Sequence, residues 1–74
     1  MASVDMINSF IQAQLKERDM NEIAAVEAAR WLDEAGLLPD SQDRPGKPLR
    51  DLMRQEQIAG QRQELNGRWF IDRL

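Results

Sequence analysis

A chain of 74 residues, 42% apolar and 31% charged, makes one small domain. Such a domain buries only about 60% of the surface its unfolded form exposes and has no room for a deep interdomain cleft. With no cysteine and no histidine, disulfides, thiolate chemistry and the usual zinc ligands are excluded. The formal net charge of −3 argues against indiscriminate coating of nucleic acid but not against one basic face.

The charge is unevenly placed along the chain. Residues 1–40 carry three basic side chains (Lys16, Arg18, Arg30) against eight acidic ones, whereas residues 41–74 carry seven basic against five acidic. The sign reverses near residue 41, so an anionic partner is expected to meet the second half. The apolar runs fall far short of the roughly 20 residues a membrane span needs. Asp5 and Asn8 interrupt any secretory apolar region. A soluble, cytoplasmic protein without membrane contact is expected.

The first segment, "SVDMINSFIQAQLKERDM", places Val4, Ile7, Phe10 or Ile11, and Leu15 at helical steps. Ser3 suits an N-cap, and Asp5 and Lys16 suit the ends of the helix dipole. This predicts an amphipathic helix over 1–19, either a core helix or one that joins a second copy. The second, "NEIAAVEAARWLDEAGLLPD", predicts a helix over 22–36 with a narrow stripe of Ala25, Ala28, Ala29 and Leu32. Gly36 suits the position after its last turn, Leu37 can fold back, and Pro39 prevents continuation. Trp31 reads as a half-buried packing residue. The stretch "DSQDRPGKP" is a loop, and Pro48 opens a third helix over 48–57 with Leu49, Leu52 and Met53 inward.

Residues 58–73 predict a hairpin. Asn66-Gly67 supplies the two positive-φ residues of a type I′ turn, with a four-residue loop as the alternative. Trp69 and Ile71 alternate inward, and Gly60 marks a bulge or a close backbone approach. The expected fold is mainly α with a C-terminal β-hairpin: three helices plus a wing in one domain.

Lys47, Arg50, Arg54 and Gln57 recur at helical steps opposite the apolar stripe of the third helix. Arg44 precedes them on the loop, and Arg62 and Arg68 sit on the hairpin. The plain alternative is a solvated face with internal ion pairs, since Asp51 lies within helical reach of Lys47 and Arg54. The functional reading is a helix for the major groove, where arginine forks guanine and glutamine pairs adenine, with the hairpin contacting phosphates. Nothing suggests catalysis, a cofactor or a metal site. Ser3, Ser9 and Ser41 have no evident activating partner, and "DSQDRPG" lacks the ligand spacing of a calcium loop.

"EIAAVEAARWLDEAG" resembles the opening helix of excisionase-like and MerR-type winged helix-turn-helix domains. "LRDLMRQEQIAGQRQELNGRWFIDR" looks like their continuation: a recognition helix, "I-x-G" before a polar strand, then "G-R-W-x-I". The resemblance covers about residues 22–74. It implies a DNA-binding fold used in phage or mobile-element recombination, excision or transcription regulation. By that match Arg50, Arg54 and Gln57 lie on the recognition helix, and Arg62 and Arg68 on the wing. The chain departs from the pattern in having Ala24 or Asn21 where a capping Thr or Ser is usual. Its link between the two helices is also about twelve residues long, where a compact helix-turn-helix uses three or four. Duplex DNA is the expected partner, with a homodimer or a protein bound through the acidic N-terminal half as further expectations. The competing reading is a protein-binding adaptor on the same scaffold.

Overall fold

The run "WFID" is the strongest β-forming stretch in the chain, and it becomes the centre of the sheet. The computed structural model describes residues 2–74. Its elements in order are α1 (Val4–Glu17), β1 (Glu22–Ala24), α2 (Ala25–Glu34), α3 (Lys47–Arg54), β2 (Gln61–Gln63) and β3 (Trp69–Asp72). The three strands form an antiparallel sheet in the order β1-β3-β2. Glu22, Ile23 and Ala24 face Asp72, Ile71 and Phe70 on one side of β3, and Gln61, Arg62 and Gln63 face Ile71, Phe70 and Trp69 on the other. The chain is therefore a mixed α/β domain of three helices and a three-stranded sheet, rather than helices with a hairpin alone.

β1 corrects the helix expected over 22–36. Glu22 and Ala24 favour helix by themselves, but the free edge of β3 offers backbone partners and the core offers a place for Ile23, which is buried beside Ile71. Tertiary pairing outweighs a local propensity of a few tenths of a kcal/mol per residue. The α2 helix then starts at Ala25, with Ala24 as its N-cap and no side-chain cap.

The core joins five of the six elements, with β2 contributing no buried side chain. Ile7, Ile11 and Leu15 come from α1, Ala25, Ala28, Ala29 and Leu32 from α2, Leu49 and Met53 from α3, and Ile23, Leu38, Ile58 and Ile71 from strands and connections. Of the two candidates on α1, Ile11 is buried, while Phe10 packs on the rim with Trp31, Leu37, Leu52 and Trp69. The alanine stripe brings the α2 backbone close to its neighbours, as expected. Ser3 caps α1 by accepting from Met6 N at 3.2 Å.

All three helices end in the same turn, in which the chain reverses through one left-handed residue. Gly36 does this for α2 (φ 73°), Asp19 for α1 (φ 54°) and Glu56 for α3 (φ 58°). In each, the amide two residues beyond the cap donates back across the last turn: Met20 to Leu15, Leu37 to Leu32, and Gln57 to Leu52. These are Schellman motifs. The third helix is accordingly shorter than expected and stops at Arg54 instead of residue 57.

The hairpin turn also differs from the type I′ expectation. Gly67 has φ 86°, but Asn66 is not in the positive-φ region. Gly67 N donates to Glu64 O, and Glu64 N donates to Arg68 O, both at 2.8 Å. This is a turn through Leu65 and Asn66 followed by a left-handed glycine bulge, the three-residue alternative for hairpins. Gly60 makes the close backbone approach. Its carbonyl accepts from Asp72 N at 2.8 Å, and a β-carbon there would collide with Asp72 O.

α1 anchors the hairpin through two amides. Asn8 donates to Gln57 O (3.0 Å) and accepts from Ala59 N (3.1 Å). Gln12 donates to Asp72 O (3.0 Å) and accepts from Leu74 N (2.9 Å). Gln61 adds a third clamp, accepting from Ile58 N and donating to Met53 O. The hairpin is thus tied to both flanking helices, which sets where its tip points.

Candidate nucleic-acid interface

One arc of α3 carries charge while the opposite arc carries Leu49 and Met53 into the core. Lys47, Arg50, Asp51 and Arg54 fall within that outer arc by the helical repeat of 3.6 residues. Asp51 sits between two of the cations, 2.8 Å from Lys47 Nζ and 2.9 Å from Arg54. The hydrogen bond from Lys47, helped by the charges of Lys47 and Arg54, holds the Asp51 carboxyl below its ordinary pKa against the opposing effect of desolvation. The face keeps a net positive charge and the side chains are held in a row.

Arg50 behaves differently from its neighbours. Its guanidinium donates to Pro45 O at 2.9 Å and pairs with no carboxylate among the described residues. It lines an open groove of about 420 Å³ together with Ala24, Ala25, Val26, Gly67, Arg68 and Trp69. Arg68, from the far end of the hairpin, lines the same groove. Its guanidinium lies 5.2 Å from the centre of the Phe70 ring and likewise has no carboxylate partner among the described residues. Arg50 and Arg68, from distant parts of the chain, thus line one groove beside the start of α2, with the Arg68 guanidinium itself resting over Phe70.

Arg62 has a different environment. Its guanidinium bridges Asp72 (2.9 Å), Glu22 (2.5 Å) and Glu64 (3.3 Å) and lies 4.8 Å from the Phe70 ring centre. The β1 register explains this knot. It sets Glu22 directly opposite Asp72, a like-charge cross-strand pair that is destabilising by itself. Arg62 neutralises both, and the bond from Asp72 raises the guanidinium pKa above its ordinary value. Arg62 holds the outer face of the sheet together, its guanidinium already paired with three carboxylates.

Gln57 does not share the α3 face. It lies beyond the left-handed Glu56, after the helix has ended, and its carbonyl accepts from Asn8. Arg44 is exposed on the long loop, where its amide donates to Ser41 Oγ at 3.0 Å and its carbonyl accepts from Lys47 N. That loop is braced rather than slack: Asp40 Oδ1 accepts from both Ser41 N and Gly46 N at 2.9 Å. It delivers Gly46 against Val26 and so brings Arg50 to the mouth of the groove. Sequence reasoning missed the bracing by Asp40, whose signal was the Asp-Ser pair at a turn-forming loop start.

No helix among the described residues is long and apolar enough to cross a membrane, and no cluster of three or more acidic side chains among them could hold a metal ion. Comparison with known proteins finds no family model, no curated protein and no solved structure that matches the chain.

Proposed function

We propose that this chain is a winged helix-turn-helix protein that binds duplex DNA, with α3 in the major groove and the β2–β3 hairpin as the wing. The observation that carries this reading is the convergence of Arg50 from α3 and Arg68 from the hairpin on one open groove, neither of them tied to a carboxylate among the described residues. Lys47 and Arg54 extend the same cationic arc along α3. The order of elements, with β1 closing the free edge of the hairpin, agrees with that fold. Excisionase-like recombination or transcription control is the role this reading favours.

In this arrangement Arg50 and Arg54 face the base edges, where a guanidinium can fork guanine O6 and N7. Lys47, Arg68 and Arg44 meet phosphates and fix the register. Arg62 and Gln57 drop out of the contact set. Arg62 instead neutralises the acids of the sheet, so that they do not repel the duplex.

The three phosphate contacts, from Lys47, Arg68 and Arg44, set the salt dependence. Affinity for a short duplex, read by fluorescence anisotropy, should fall by roughly one and a half decades between 50 and 200 mM salt. Arg50→Ala should weaken binding and relax base preference, and Lys47→Ala should flatten that slope. A chain that shows no binding at 50 mM salt, or binding that ignores salt, would overturn the proposal.

A further inference from the structure

The few basic side chains of the acidic first half are not spread evenly. Arg18, at the end of α1, and Arg30, on α2, line one open groove of about 410 Å³ with Phe10, Gln14, Trp31 and Glu34. Neither arginine pairs with a carboxylate among the described residues. Arg18 is held by two neutral neighbours instead. Its Nε donates to Gln14 Oε1 at 3.1 Å, and its guanidinium lies 4.6 Å from the centre of the Trp31 ring.

The polar groups of this groove are nearly all donors. Guanidinium and indole nitrogens can only donate, and the Gln14 oxygen is already taken by Arg18. No buried side-chain nitrogen or oxygen among the described residues lacks a hydrogen-bond partner, so the unbonded Trp31 indole N–H is open to solvent. Glu34 is the one acid at the rim. Such a set complements a carboxylate, which only accepts, and an arginine fork matches its two oxygens. An apolar seat adjoins it. Phe10 also lines a second groove, of about 430 Å³, with Asp5, Met6, Ser9 and Leu37. Met6 is 55% exposed and stands one helical turn before Phe10, so the two share a face of α1. A methionine there adapts to apolar side chains of varied shape.

We infer that the α1–α2 groove docks an acidic, partly apolar segment of a partner protein. A carboxylate of that segment lies between Arg18 and Arg30, and an apolar residue rests on Met6, Phe10 and Leu37. Bulk charge alone would give this half of the chain a basic partner, and the local chemistry reverses the sign. A nucleic acid fits less well. Its evenly spaced phosphates would meet the eight acidic side chains of residues 1–40, whereas one or two carboxylates on an apolar segment need approach only the arginines. No residue lines both this groove and that of Arg50 and Arg68. The inference therefore stands whether or not the protein binds DNA.

The test uses the full chain and a displayed library of short random peptides, selected on the wild type and depleted on an Arg18→Gln/Arg30→Gln double variant. Both side chains are exposed, so the double variant should keep the wild-type circular dichroism spectrum. Enriched peptides should carry Asp or Glu beside Leu, Ile, Phe or Met. A synthetic copy should shift the Trp31 indole N–H and the amides of Phe10, Gln14 and Ala35, leaving residues 47–54 unmoved. Replacing its acid by the matching amide, or either arginine by glutamine, should weaken binding roughly fivefold, the upper range for an exposed ion pair. Peptides held equally by the double variant, a selection dominated by basic sequences, or no enrichment at all would overturn the inference. So would a short single-stranded or duplex oligonucleotide that shifts the same resonances and displaces the peptide, because the groove would then take phosphates.

Discussion

Replacing Glu56 by glycine should make the protein more stable, although it removes a side chain. Glu56 sits at φ 58° at the end of α3, where an L-residue pays about 1–2 kcal/mol for the approach of its β-carbon to the carbonyl. Glycine escapes that cost but has more freedom to lose on folding, which returns about 0.4–1 kcal/mol. The net gain is about 0.5–1 kcal/mol, or about 3–6 °C in melting temperature for a domain of this length. Glu56 also places a negative charge at the negative end of the α3 dipole, so charge must be separated from backbone. Glu56→Gln removes the charge and keeps the β-carbon. Thermal and urea unfolding followed by circular dichroism should rank Glu56→Gly above Glu56→Gln. If the glycine variant melts at or below the glutamine variant, the left-handed turn ending α3 is not formed as described, and the helix runs on toward Gln57.

Gly60→Ala should destabilise by about 2–4 kcal/mol, combining the left-handed penalty with the displacement of Asp72 O, and a urea midpoint equal to wild type would contradict the close approach. Asp51→Asn should raise affinity for mixed-sequence duplex severalfold, since it uncovers Lys47 and Arg54, and unchanged anisotropy would show that this face does not meet DNA. The same variant bears on acid stability. The Asp51 carboxyl is held below its ordinary pKa in the folded protein, so its contribution is present above the unfolded value and lost as pH falls through the folded one. Below about pH 4 the wild type should lose stability faster than Asp51→Asn, and parallel acid limbs would refute the pairing. Arg68→Ala should reduce the slope of log affinity against log salt by about 1. Arg62→Ala should instead lower the melting temperature, which separates the two arginines of the wing.

The helices were legible because their signals are local. The stripes of Ile7, Ile11 and Leu15 and of Ala25, Ala28, Ala29 and Leu32 repeat at the helical period, and Ser3 and Gly36 mark the ends by their own chemistry. The ends of α1 and α3 were not legible, because Asp19 and Glu56 occupy positions where glycine would have announced the turn. β1 was hidden for a different reason. Its residues Glu22 and Ala24 favour helix, and only the unpaired edge of β3, some fifty residues away, makes them a strand. The same register decides the fate of Arg62. Without knowing that Glu22 faces Asp72, it reads as one more cation on the wing. Asn66-Gly67 announced a hairpin, but the dipeptide fits two turn types, and the bulge depends on how Trp69 pairs with Gln63. Arg50 and Arg68 were both named from sequence, and their meeting in one groove depends on the bracing of the long loop by Asp40.

The central claim is that α3 and the wing tip form one cationic surface that meets a duplex. Backbone amide shifts recorded during a titration with a short DNA duplex, at 50 mM and again at 200 mM salt, test it most directly. The expected result is a set of perturbations over residues 47–54 and 65–68 that weakens steeply at the higher salt, with the exposed side of α1 unmoved. Perturbations confined to α1 and the acidic first half, or none at 50 mM salt, would contradict it.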